Sequence, residues 1–170
     1  MKRFIEAQHV FFVANAPAES SGHVNLSPKG LESLRIIGPA SVAYIDYIGS
    51  GIETIAHLRQ NRRMVIMFCA FEGPPQIVRL HGQGHVVEPQ DESFRSLLVH
   101  FQSPPDVQLD VERISDSCGY GVPLYRYEGQ RSQLGAWAER KGEGALLTYQ
   151  REKNSVSIDR LPGLRWPEQR

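Results

Sequence analysis

From Ser41 to Gly84 the sequence SVAYIDYIGSGIETIAHLRQNRRMVIMFCAFEGPPQIVRLHGQG changes its apolar period several times, and few architectures accommodate that order. Ser41 to Ile48 is rich in β-branched and aromatic residues, which predicts a strand that Gly49-Ser50-Gly51 then stops. From Ile52 to Asn61 the spacing of Ile52, Ile55, Ala56 and Leu58 predicts a helix of about two turns. Arg63 to Phe71 is nearly continuous apolar sequence, the pattern of a central strand buried on both faces. The turn Gly73-Pro74-Pro75 leads into QIVRLHGQGHVVE, a long alternating strand with Gly82 and Gly84 as bend or bulge positions. Two strands joined by a proline turn, with one short helix before them, exclude regular βαβ repeats and favour an antiparallel barrel.

The flanking sequence extends this reading. The amino-terminal segment through Phe11 to Ala14 reads as a first strand, Asn15 to Gly22 as a loop, and His23 to Leu26 as the second arm of a hairpin. In that arm Val24 and Leu26 share one face, while Asn25, Ser27 and Lys29 collect on the other. Ser27-Pro28-Lys29-Gly30 ends it and leaves Lys29 at a strand mouth. Asp91 to Phe101 reads as a helix stopped by Pro104-Pro105, covering an open end of the barrel. Val111 to Ser115 can form another strand. Arg131 to Lys141 reads as a helix ended by Gly142 to Gly144, with a further helix and an irregular tail after it. No repeat or linker divides the chain, so residues 1–170 are expected to form one domain, with residues 131–170 packed on it.

Composition narrows the function. Nineteen basic and nineteen acidic residues cancel, so no overall field draws the chain to nucleic acid or an anionic membrane, and any anion site must be local. No apolar run reaches the roughly 20 residues that span a bilayer. Two cysteines, Cys69 in an apolar strand and Cys118 in the turn Ser117 to Gly121, form neither a disulfide framework nor a zinc pattern, which suits the reducing cytoplasm. Cys69 reads as a packed hydrophobe rather than a nucleophile. GQGH at Gly82 lacks the third glycine and following helix of a dinucleotide site, and there is no serine elbow or HExxH zinc motif.

One constellation can carry chemistry. A strand that delivers glycines and a serine to a helix start offers backbone N–H groups and a hydroxyl to an anion such as a phosphate. Ser50-Gly51-Ile52-Glu53 also fits a capping box, in which Ser50 and Glu53 satisfy the helix start without any ligand. Both readings stand at this level. Arg79, embedded in a strand, needs a carboxylate partner, a solvated face or a ligand.

HVNLSPKG, VAYIDYIGSGIETIAHLRQN, RMVIMFCAFEGPP and VRLHGQGHVVEP together resemble the pyridoxamine 5′-phosphate oxidase-like family of flavin-binding split barrels. SCGYGVPLYRYEGQR and the tail NSVSIDRLPG resemble one uncharacterised branch of it, so the likeness runs over most of the chain. The resemblance implies a mainly β, six-stranded antiparallel split barrel with peripheral helices. It also implies a homodimer holding FMN in clefts between protomers; Tyr120, Arg126, Arg131 and Trp137 are candidates to reach the partner's cleft, because aromatics and arginine are favoured in interface cores. Asn25, Leu26, Ser27 and Lys29 would then run along the flavin, and Ile48, Gly49, Ser50, Gly51, Glu53 and Thr54 would hold its phosphate. The oxidases proper carry an arginine–lysine pair where this chain has Glu53 and Thr54, so either Lys29, Arg79 or another nearby arginine is expected to replace that charge, or the cofactor to bind weakly or differently. The implied activity is FMN-dependent oxidoreduction of a small molecule, with a nicotinamide as candidate reductant and no metal. Vitamin B6 oxidation is not expected, and no catalytic side chain is assigned. The rival on the same barrel is a non-catalytic flavin or haem binding or sensing dimer.

Overall fold

The computed structural model describes residues 1–101, 103 and 106–166, so the proline stop expected at Pro104-Pro105 lies outside the described residues. Among the described residues seven strands form one antiparallel sheet: β1 (Phe11–Asn15), β2 (Asn25–Lys29), β3 (Leu34–Gly38), β4 (Ser41–Tyr44), β5 (Arg63–Cys69), β6 (Ile77–Val86) and β7 (Val107–Ser117). Their order is β2-β1-β5-β6-β7-β4-β3. The sheet curls far enough for Phe11 of β1 to meet Tyr44 of β4, ring centroids 5.6 Å apart, although several strands separate them in the ladder. No ladder joins β2 to β3 among the described residues, so the barrel is split there.

The interior follows from period-2 alternation. Val13, Val42, Tyr44, Ile66, Phe68, Val78, Leu80, Val107 and Leu109 point inward, each under 4 % exposed. Full burial of one such side chain contributes about 1.5–3 kcal/mol, so this cluster supplies a large share of the driving force. β5 is more one-sided than its apolar run suggests: Met64, Ile66 and Phe68 are buried while Val65 and Met67 are half-covered.

Other elements depart from the sequence pattern. The first residues form a short helix, α1 (Lys2–Glu6), whose Ile5 joins the core. β3 is not anticipated, and it raises the strand count to seven rather than six. β4 ends at Tyr44, four residues before the expected boundary, whereas β7 runs from Val107 to Ser117 and greatly exceeds Val111 to Ser115. Helix α3 (Glu92–Leu98) does not cap an open end: Phe94, Leu97 and Phe101 pack on Ala43, Val87 and Ile37 in a second cluster, apart from the main core. Helix α4 (Gln133–Lys153) breaks at Gly142, whose φ of 71° stops the first helical segment where expected.

Helix α2 (Glu53–Asn61) sits against the sheet because β6 has no side chain at Gly84, where a Cβ would come within 2.4 Å of Met64 Sδ and 2.6 Å of a Leu58 methyl. The register shift at Gly82 is tighter. A Cβ there would lie 1.9 Å from the Asp110 carbonyl oxygen, a backbone atom that cannot swing away. Gly82→Ala is therefore expected to cost about 3 kcal/mol or more, at the upper end of overpacking effects. Gly121→Ala, with no described residue within 4 Å of its added Cβ, is expected to unfold in urea like the parent. Equal midpoints for the two variants would contradict this register.

Candidate functional site

The hairpin register puts Asn25 of β2 opposite Asn15 of β1. Since β2 is an edge strand it tolerates Pro28, and its alternation carries Asn25, Ser27 and Lys29 to the inner side. Leu26 and Val24 point outward, 64 % and 74 % exposed. The polar face of this strand is thus the covered one.

What covers it is the start of α2. Thr54 Oγ1 accepts hydrogen bonds from Asn25 Nδ2 at 3.0 Å and Asn15 Nδ2 at 3.2 Å, and Ser27 Oγ donates to Asn25 Oδ1 at 3.0 Å. His57 Nδ1 donates to Asn15 Oδ1 at 2.7 Å, which leaves Nε2 as the lone-pair nitrogen, fully buried without a partner among the described residues. Burial lowers the His57 pKa and keeps the ring neutral, opposed by the charges of Asp159 and Glu53. Thr54 retains its own proton to donate.

The cleft beside this network is walled by Asn25, Ser27, Lys29, Ile48, Gly49, Gly51, Glu53 and Thr54, which the sequence singled out. The sequence did not single out Asp46, Tyr47, Asp106, Gln150 and Asn154, which also line it. Asp46 was visible as one charge inside an aromatic, β-branched run. Asp106 carries no such signal, because β7 brings it in from 60 residues away. Ser50 and Leu26 are exposed and outside the wall. Arg79 is also outside, on β6, its guanidinium donating to Ser117 Oγ at 3.3 Å.

The capping box does not form. The residue before α2 is Ile52, and no side chain among the described residues caps the helix. Glu53 instead folds back against Gly51 and accepts the Ile158 N–H at 3.2 Å. The tail that looked irregular is a clasp closed by a Val156–Pro162 bridge. Within it Asn154, 2 % exposed, donates to the Gly49 and Gly51 carbonyls, each at 3.1 Å. At its far end Asp159 accepts from the His23 backbone at 2.8 Å.

Electrostatics then decide what the cleft can hold. Lys29 Nζ is paired with Asp46, whose N–H donates to Asp106 Oδ2 at 2.9 Å. Burial first, then the Asp46 charge, pushes the Asp106 pKa up to about 7, against the Asp46 N–H bond and Lys29. Burial and the same two aspartates hold the Tyr44 phenol well above its ordinary range. Although Thr54 opposes that shift, no contact of the buried Tyr44 hydroxyl with the described residues meets hydrogen-bond geometry. One cation thus faces three carboxyl groups, and the cleft is net negative at pH 7 even with Asp106 partly protonated. The free amides at the α2 start, the Thr54 hydroxyl and Ser27 fit a neutral, hydroxylated chain. They do not fit a phosphate dianion, because the only lining cation among the described residues is already neutralised and Glu53 lies across the glycine turn. Among the described residues no group of His, Cys, Asp and Glu could hold a metal ion.

Asp106 is the titrating group with the clearest consequence. Its folded pKa lies above the 3.8 of an ordinary aspartate, so its contribution to stability is fully present below pH 4 and is lost as pH rises through about 7. Asp106→Asn, which keeps an acceptor for the Asp46 N–H, is expected to match the parent at pH 4 and to exceed it in urea stability at pH 8. Parallel profiles across that range would contradict the buried carboxyl.

Known proteins share both the sequence and the fold. The chain is 38% identical over 178 residues, 92% of its length and 71% of the relative's, to the pyridoxamine 5′-phosphate oxidase family protein ustO of Aspergillus flavus. No family model matches. HupZ of group A Streptococcus superposes with a TM-score of 0.53 at 22% identity, covering 69% of this chain and 91% of that one. A putative pyridoxamine 5′-phosphate oxidase of Lactobacillus delbrueckii gives 0.50 at 16% identity, over 66% and 88% of the two chains. At these identities the structures speak for the fold alone.

Proposed function

The chain belongs to the pyridoxamine 5′-phosphate oxidase family, and on that premise we propose that it is a flavin-dependent oxidoreductase that works as a homodimer on a small-molecule substrate. The observation that carries this reading is the meeting of the β2 polar face with the α2 start in one cleft, tied by the Asn25–Thr54 bond. A flavin bound there would supply the hydride and electron transfer that no side chain of the cleft can perform. The chain's own residues do the rest. Asn25, Ser27 and Thr54 orient hydroxyl and amide groups, the Gly49–Gly51 turn allows close backbone approach, and Asp106 can hold or release a proton near neutral pH.

Two features support the dimer. The cleft encloses about 170 Å³, below the roughly 300–1,000 Å³ of a complete small-molecule site, so it holds one end of a ligand and needs a further wall. Val24 and Leu26, on one face of the β2 edge, are 74 % and 64 % exposed, and paired apolar surface beside the cleft supports an interface. Both cysteines are unpaired, which supports a reducing, cytoplasmic setting. No helix among the described residues is long and apolar enough to cross a membrane. A nicotinamide remains the candidate reductant.

Light scattering is expected to give twice the 19.2 kDa chain mass at micromolar concentration, and a monomer would count against the shared site. Flavin added to the purified protein should bind and be bleached anaerobically by NADH or NADPH. Absence of any flavin uptake would sink the assignment.

A further inference from the structure

We infer that the cleft selects an unphosphorylated flavin end, so that riboflavin binds at least as tightly as FMN. This rests on the flavin reading proposed above and deepens it, since it names which form of the ligand the site accepts.

Three independent contacts carry the inference. Lys29 is the only basic side chain lining the cleft among the described residues, and its charge is spent on Asp46, both of them more than three-quarters buried. A phosphate must either break that pair, leaving Asp46 unpaired, or bind beside a neutral couple. Glu53 stands at the first position of α2, where a bound anion would use the free amides, and its carboxylate is already fixed by the Ile158 N–H. The Asn154 side chain ties down the carbonyls of Gly49 and Gly51, so the turn cannot open to move Glu53 away without breaking these bonds. Arg79, the basic residue of β6 expected to compensate, donates to Ser117 instead. A hydroxyl end meets none of these penalties. It can accept from the helix-start amides and donate to a carboxylate, and so uses the groups that repel a phosphate.

Flavin fluorescence titrations with riboflavin and with FMN, on the full-length protein and on Glu53→Gln, test this. The substituted side chain still offers an amide oxygen to the Ile158 N–H, so the clasp should survive the change. The expected result is a riboflavin Kd equal to or below that of FMN in the parent. In Glu53→Gln, FMN should tighten about tenfold, equivalent to about 1.4 kcal/mol, and riboflavin should stay within about threefold on the same scale. FMN binding tenfold or more tighter than riboflavin in the parent would overturn the inference while leaving the flavin reading intact. Equal responses of the two flavins to Glu53→Gln would overturn the role given to Glu53. If neither flavin binds, the flavin reading itself fails and this inference falls with it.

Discussion

Everything placed around the cleft depends on the hydrogen bonds that converge on Thr54 and Asn15. Asn15 belongs to β1, Asn25 to β2, and Thr54 and His57 to α2, so the network joins elements more than 40 residues apart at its widest step. Asn15, Thr54 and His57 are each at most 5 % exposed. A buried polar group without a partner costs about 1–3 kcal/mol, a penalty that this arrangement relieves at Asn15, Thr54 and His57 Nδ1. That is a specific constraint where apolar packing is permissive. Leu58 and Met64 would tolerate other hydrophobes of similar volume, whereas the Asn–Thr–Asn–His set accepts few substitutes. The same bonds hold the edge strand β2 with its polar side inward, which turns Ser27 and Lys29 toward the α2 start and Leu26 to the outside.

Charge is the second determinant. In water the Lys29–Asp46 pair would contribute little, but the low exposure of both partners and the neighbouring Asp106 make it a committed unit. Raising Asp106 to about pH 7 is the direct result of putting a third carboxyl where solvent is scarce and Asp46 is close. The cleft thus gains a group that exchanges protons in the physiological range and loses the positive potential that would draw phosphate. The carboxy-terminal clasp reinforces this, because Asn154 and Ile158 bind the glycine turn and Glu53 through the backbone as well as through side chains.

Much of this was legible in the sequence, for identifiable reasons. The alternation in β2 separated Asn25, Ser27 and Lys29 from Val24 and Leu26, and the glycines after Ile48 marked the turn that reaches the cleft. The direction of that alternation was not legible: hydrophobicity alone puts Leu26 inside, and only the Thr54 acceptor explains why it is outside. β3 was lost because five residues between two turns, with Arg35 among them, offer too short a period. Ser50 looked like a cap by its spacing to Glu53, but the tail supplies a partner that local sequence cannot reveal. Lys29 sits at the end of β2, where the sequence puts a strand mouth, while its partner Asp46 shows only as one charge in a segment that otherwise reads as strand. Asp106, delivered by the longest strand, had no local signature at all.

The central claim is that Asn25 and Thr54 act as one unit that couples the edge strand to the helix start. A double-mutant cycle on folding stability, comparing Asn25→Ala, Thr54→Val and the pair in urea, measures that coupling directly. A shared bond predicts an interaction energy of about 1 kcal/mol or more, because the second substitution finds its partner already gone. Additivity within about 0.3–0.5 kcal/mol, the behaviour of independent sites, would contradict the account.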